Sequence, residues 1–291
     1  MNKILIILLS FTLVGCLNLP AKKNSTIKAD LKVMQTQNII EEDSAESLLK
    51  KAKILEQENN YSDLLGVYKK LCKLMPDSLN IKIKLADFYR LTGKTIEAKE
   101  LYSELLQHES ISSNQESEDY LHILEAVGMC LIQDGDLNGA IETLSAIFEI
   151  DAMRWRTINA LGVAYALSGN HAESEKYFKL SLALEENQYI VYNNMALASA
   201  FNGRYEDAIK YQKQAIEFVS RKNANFERLE MNLALLFGLS GKMDAAEEIL
   251  RKYLSDEKVK NNLKYYSGLY KNSDASKKLL KKSLGAVNSN S

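Results

Sequence analysis

The sequence has 291 residues with 37 basic and 38 acidic side chains, a formal net charge of -1, which removes the electrostatic reason to expect nucleic acid as a partner. Two prolines among many Leu, Ala, Lys and Glu residues predict an almost wholly helical body. His108, His122 and His171 never fall at ligand spacing on one helix face, and no phosphate loop or nucleophile elbow occurs, so neither a metal, a cofactor nor catalysis is expected.

The chain opens with Lys3 and then an apolar run, ILIILLSFTLV, over residues 4–14. A bilayer-spanning helix needs roughly 20 apolar residues, so this run is too short to span and reads as an export signal. Its end, Leu13-Val14-Gly15-Cys16, resembles the lipobox of bacterial lipoproteins. That resemblance implies diacylglycerol on the Cys16 sulfur, cleavage before the cysteine and acylation (palmitate) of the new amino group; an unmodified secretory signal is the other reading. Leu17 follows with no acid beside the cysteine, and the resemblance to lipoproteins then implies sorting to the periplasmic face of the outer membrane. Several acyl chains, at about 0.8 kcal/mol per buried methylene, make a firm anchor. The expected organisation is therefore a signal peptide over 1–15, a polar tether over 16–41, a repeat body over 42–270 and a lysine-rich disordered tail over 271–291. Cys72 and Cys130 sit among apolar neighbours and are expected as buried thiols rather than a disulfide.

Internal repetition organises the body. Gly93, Gly135, Gly169, Gly203 and Gly241 follow one another at spacings of 42, 34, 34 and 38 residues. A small residue stands seven positions before each (Ala86, Gly128, Gly162, Ala196, Ala234), and another five after (Ala98, Ala140, Ser174, Ala208, Ala246). A weaker copy precedes them at Ala52, Asn59 and Leu64. This is the 34-residue tetratricopeptide pattern: two antiparallel helices, A and B, per repeat, stacked into an all-α right-handed solenoid. The first small residue lets helix A approach helix B, the glycine ends helix A, and the second small residue lets helix B meet the next helix A. Repeats are expected at 45–78, 79–112, 121–154, 155–188, 189–222 and 227–260. The extra residues fall in an expected solvated loop at 109–120 and in either a longer helix or a longer connection at 220–230. An amphipathic segment at 262–270 is expected to cover the open end.

Helix A of each repeat should line an inner groove at repeat positions two, five, nine and twelve. These are Arg156, Asn159, Val163 and Ala166, then Ile190, Asn193, Leu197 and Ala200, then Arg228, Met231, Leu235 and Gly238. Amides and cations beside apolar patches suit a peptide-like partner segment. Asn159 and Asn193 also read as a polar ladder that only braces adjacent repeats. From Lys258 onward eight lysines face one acid, Asp274, which reads as a solvated face.

The last three repeats resemble the TadD family, the tetratricopeptide lipoproteins of tight-adherence (Flp) pilus assembly. The resemblance is carried by NLALLFGLSGKMDAAEEI at 232–249, Leu254-Ser255 and NNLKYY at 261–266, with Arg228 and Asn232 matching the family's basic residue and asparagine. It implies a non-catalytic, pilotin-like assembly role at the outer membrane, with the secretin or other pilus components as protein partners. Scaffolding of another envelope machine, or recruitment of a peptidoglycan hydrolase, are the alternatives.

Overall fold

The computed structural model describes residues 44–57, 60–184, 188–221, 223 and 225–287. Cys16, the tether and Asn59 lie outside the described residues. The chain forms α-helices only among the described residues, and divides into two units, one ending at Leu105 and the other starting at Leu106.

The first unit holds α1 (Ala45–Gln57), α2 (Tyr61–Leu74), α3 (Leu79–Leu91) and most of α4 (Thr95–Gln107). Its core gathers Leu48, Ala52, Leu55, Leu64, Val67, Leu71, Ile81 and Phe88. Full burial of each large side chain contributes roughly 1.5–3 kcal/mol. Ala86 and Ala98 are fully buried, and Tyr102 of α4 donates its hydroxyl to Asp87 of α3 at 2.6 Å. Cys72 is half-buried here, and burial pushes its thiol up.

The second unit opens with a short helix, α5 (Glu109–Ser112), and α6 (Glu118–Asp134). The stretch expected as a solvated loop is thus partly ordered. Ile111 is buried, and Ser117 accepts the Tyr120 N–H as the cap of α6. Three further helix A and B pairs follow: α6 with α7 (Leu137–Ile150), α8 (Trp155–Leu167) with α9 (His171–Leu184), and α10 (Tyr189–Phe201) with α11 (Tyr205–Glu217). Next come α12 (Asn225–Leu239) and the short α13 (Met243–Leu250). Because α11 stops at Glu217 and α12 begins at Asn225, the extra residues do not extend helix B; they lengthen the connection and the start of α12, which has 15 residues against 13 in α10.

The small residues act where helices touch. A Cβ on Gly128 would lie 2.7 Å from Leu144, and one on Gly162 would lie 2.7 Å from the Phe178 ring, so each glycine sets how closely helix A meets its own helix B. Ala140, Ala196, Ala208, Ala234 and Ala246 are fully buried at the equivalent contacts. Ser174 occupies a position that is alanine in the four other glycine-marked repeats, and it satisfies its buried hydroxyl by donating to the Gly162 carbonyl at 2.8 Å.

The five turn glycines, Gly93, Gly135, Gly169, Gly203 and Gly241, all have positive φ, between 76° and 88°. At Gly203 a Cβ would meet nothing within 4 Å, so alanine there introduces backbone strain without a clash. Gly203→Ala is expected to destabilise the second unit by about 1 kcal/mol, and thermal unfolding followed by circular dichroism measures it. An unchanged midpoint would contradict the strain argument.

Two more helices close the second unit: α14 (Asp256–Tyr270), longer than the expected 262–270 segment, packs on α12 and α13. The chain then turns through Lys271 and Asn272 into α15 (Ser273–Val287). The expected disordered tail is therefore corrected: its larger part is a helix. The reason is a buried stripe, Ser276, Leu279, Leu280, Ser283 and Leu284, at the i, i+3, i+4, i+7, i+8 spacing of an amphipathic helix.

Candidate interaction surface

The A helices of successive repeats in the second unit, α6, α8 and α10, lie side by side, the row that the repeat scheme makes the inner face. An open groove would leave one side of each helix in water. Instead α10 is buried from Val191 through Ala200 apart from Tyr192, because α8, α9, α11 and α15 surround it. The last helix lies on α10 and also reaches α6. Of the three helices expected to line the groove, α8, α10 and α12, the middle one is covered by the chain's own C-terminal helix.

This changes the standing of the groove residues. Asn159 and Asn193 are each only 2% exposed. The Asn193 Oδ1 accepts from Asn232 Nδ2 at 2.8 Å, a buried amide pair between α10 and α12, so Asn193 braces adjacent repeats. Leu197 is fully buried and Leu235 nearly so, while Met231 and Arg228 are half-buried. Arg156 is exposed, with its guanidinium 5.1 Å from the centre of the Trp155 ring. Gly238 faces α14: a Cβ there would lie 2.6 Å from Tyr266. The positions that were to line one groove therefore divide into a core ladder and a half-exposed rim.

A second polar cluster joins α6 to α8. Arg154 donates to Glu118 at 2.7 and 2.8 Å and to Glu125 at 3.1 Å, and Thr157 donates its hydroxyl to Glu125 at 2.7 Å. Glu125 is 1% exposed. The hydrogen bond from Arg154 holds the Glu118 carboxyl below the usual carboxylate range, and the same bond holds the Arg154 guanidinium above its ordinary value. Glu125 stands inside an apolar helical run, the one sequence signal that could have revealed it; its partners lie 29 and 32 residues away.

Aromatic side chains form two surface groups. Tyr165 stacks on Tyr177 at 5.3 Å between ring centres, with Phe148 edge-on to Tyr177. Tyr192 stacks with Tyr211 and with Phe218, whose side is half-exposed. Both are packing contacts of the kind that hold a repeat's helices together.

Among the described residues no group of three or more His, Cys, Asp or Glu side chains could hold a metal ion, and no helix is long and apolar enough to cross a membrane. Cys72 and Cys130 are not joined in a disulfide.

Residues 156–188 and 189–218 match the tetratricopeptide repeat model, which corresponds to the α8–α9 and α10–α11 pairs. No curated protein sequence matches this one. Among solved structures the chain is similar to TTC0263, a thermophilic tetratricopeptide protein of Thermus thermophilus, at 18% identity and a TM-score of 0.55, over 67% of this chain and 99% of that one. It also resembles pilF of Pseudomonas aeruginosa at 19% identity and a TM-score of 0.46, over 76% of this chain and 97% of that one. The helix pairs, the repeat match and the first of these likenesses define the class: an all-α tetratricopeptide-type solenoid. More particularly, the α8–α9 and α10–α11 pairs carry the tetratricopeptide motif itself.

Proposed function

We propose that this protein is a lipid-anchored scaffold on the periplasmic face of the outer membrane that supports assembly of a tight-adherence pilus, with the secretin as its partner. The observation that carries the reading is the C-terminal signature at 232–266. Its separate motifs form one packed piece: Gly238 in the first lies against Tyr266 in the last, and Asn232 bonds to Asn193 of the preceding repeat. Cys16, at the end of the lipobox, supplies the anchor, and the polar stretch over 16–41 gives the solenoid reach from the membrane.

The test has two arms. Cys16→Ser removes the sulfur nucleophile, so incorporation of labelled palmitate should vanish and the protein should leave the outer-membrane fraction. A variant that still carries label or still floats with outer membrane rejects the anchor. In the second arm the secretin should co-purify with detergent-solubilised wild-type protein. Its absence, with anchoring intact, rejects the pilus assignment and leaves a scaffold of another envelope machine.

A further inference from the structure

The C-terminal helix has no place in the repeat scheme. In each of the three preceding full pairs of the second unit, the two helices run side by side; α15 leaves α14 after a two-residue turn and lies on α10 and α6 instead. What holds it there is simple. Its buried stripe consists of three leucines, Leu279, Leu280 and Leu284, flanked by Ser276 and Ser283, whose small side chains allow close approach to the helices beneath.

Its hydrogen bonds stay local. Ser276 Oγ donates to the Leu269 carbonyl at 2.7 Å and to the Asn272 carbonyl at 3.1 Å, and Ser283 Oγ donates to the Leu279 carbonyl at 3.2 Å. The seat itself is read by apolar shape. One charge adds direction: Lys281 leans over the end of α6, where a Cβ on Gly135 would come within 2.5 Å of its Nζ. That helix ends in carbonyls, with Asp134 and Asp136 beside the turn, so a cation is favoured there. Lys277, Lys278 and Lys282 point to solvent and contribute nothing to the seat.

We propose that the inner face of the second unit is a receptor for an amphipathic helix of a partner protein, and that α15 is its resident occupant, exchanged when the partner binds. The partner helix carries α15's pattern: leucine-like side chains at the places of Leu279, Leu280 and Leu284, small ones at those of Ser276 and Ser283, and a basic one at that of Lys281. The inference rests on the reading of the protein as an interaction scaffold and names the chemistry of its partner. Occupancy by a tethered helix sets a high local concentration that an incoming helix must overcome, which makes binding selective for strong matches. It also covers an apolar face that would otherwise meet water.

The probe is a labelled synthetic peptide of residues 273–287, added to the purified full chain without any pilus component, so the outcome is independent of the pilus assignment. In the variant Leu279→Asp/Leu280→Asp/Leu284→Asp the resident helix cannot seat. The peptide is expected to bind this variant about 100-fold more tightly than the wild-type chain, reflecting removal of the tethered competitor. A peptide with Lys281→Glu is expected to bind several-fold more weakly. Equal binding to both chains, or none to a variant whose helices α6 to α13 keep their wild-type hydrogen-exchange protection, overturns the proposal.

A second measurement needs no variant. With excess peptide and the wild-type chain, the backbone amides of α15 should exchange with deuterium several-fold faster while those of α6 and α10 stay protected. Unchanged exchange in α15 would make it a fixed part of the core and overturn the proposal. So would release of α15 by anionic lipid vesicles but not by peptide, which would make it a membrane-surface helix. Dimers of the wild-type chain formed without peptide would overturn it too, by assigning the seat to a second copy.

Discussion

Arg154→Met is expected to destabilise the second unit by about 3–5 kcal/mol, the usual effect of removing one partner from a buried ion pair. The side chain of Arg154 is 11% exposed and that of Glu125 is 2% exposed, so the methionine leaves in the interior a carboxylate that has lost its cation and keeps the Thr157 hydroxyl. Glu118 behaves differently, because its side chain is 77% exposed and water replaces the lost guanidinium. The unfolding midpoint should fall by roughly 10 °C for a unit of this size. Arg154→Met/Glu125→Gln should recover a large part of the loss, since no buried charge then remains and Thr157 can still donate to the amide oxygen. If the double variant is no more stable than the single one, the loss came from packing of the arginine stem and not from the stranded carboxylate.

The same cluster gives the acid side of the stability profile its direction. The folded-state value of Glu118 is depressed by the hydrogen bond from Arg154, so its contribution is fully present above the unfolded carboxylate range and is lost as the pH falls through that lowered value. Arg154→Met should therefore flatten this acid-side loss. A pH titration of the midpoint for both chains measures it, and parallel curves would show that Glu118 adds nothing through Arg154.

The repeat frame was legible because its signals are local. A positive φ at Gly135 or Gly203 and the contacts of Gly128 and Gly162 with their own helix B follow from residue size at fixed spacing, which a sequence displays directly. The inner face was not legible for the opposite reason. Counting repeat positions places Asn193 and Leu197 on that face, but only the chain's return through α15 decides whether the face meets water. Two clues to that return were present. Helix α10 carries apolar or small residues on every side, as a helix enclosed all round must. The lysine-rich segment carries leucines and serines at helical spacing, and the charge count drew attention to the wrong half of an amphipathic pattern. The Glu118, Glu125 and Arg154 cluster was hidden because its partners come from different repeats, and no periodicity pairs individual side chains over that distance.

Gly238→Ala is expected to destabilise the second unit by about 3 kcal/mol, the upper part of the range for overpacking, and to do so through α14. The added methyl would lie 2.6 Å from Tyr266 Cβ and Cδ2 and 2.7 Å from its Cγ. A flexible side-chain end could swing aside, but Tyr266 Cβ is fixed to the backbone and the side chain is 5% exposed, so relief requires moving α14 off α12. Gly203→Ala is the internal comparison, because it strains one turn without touching any neighbour. Hydrogen exchange separates the two mechanisms: Gly238→Ala should expose amides of α14 first and then those of α15, which hangs from it through Lys271 and Asn272, while α6 to α9 keep their protection. Uniform loss of protection across the unit, or a midpoint equal to that of the parent chain, would show that α14 does not depend on the close approach at Gly238. Loss confined to α14 and α15 would make the end of the solenoid a separately opening segment, hinged where the resident helix must leave for a partner to enter.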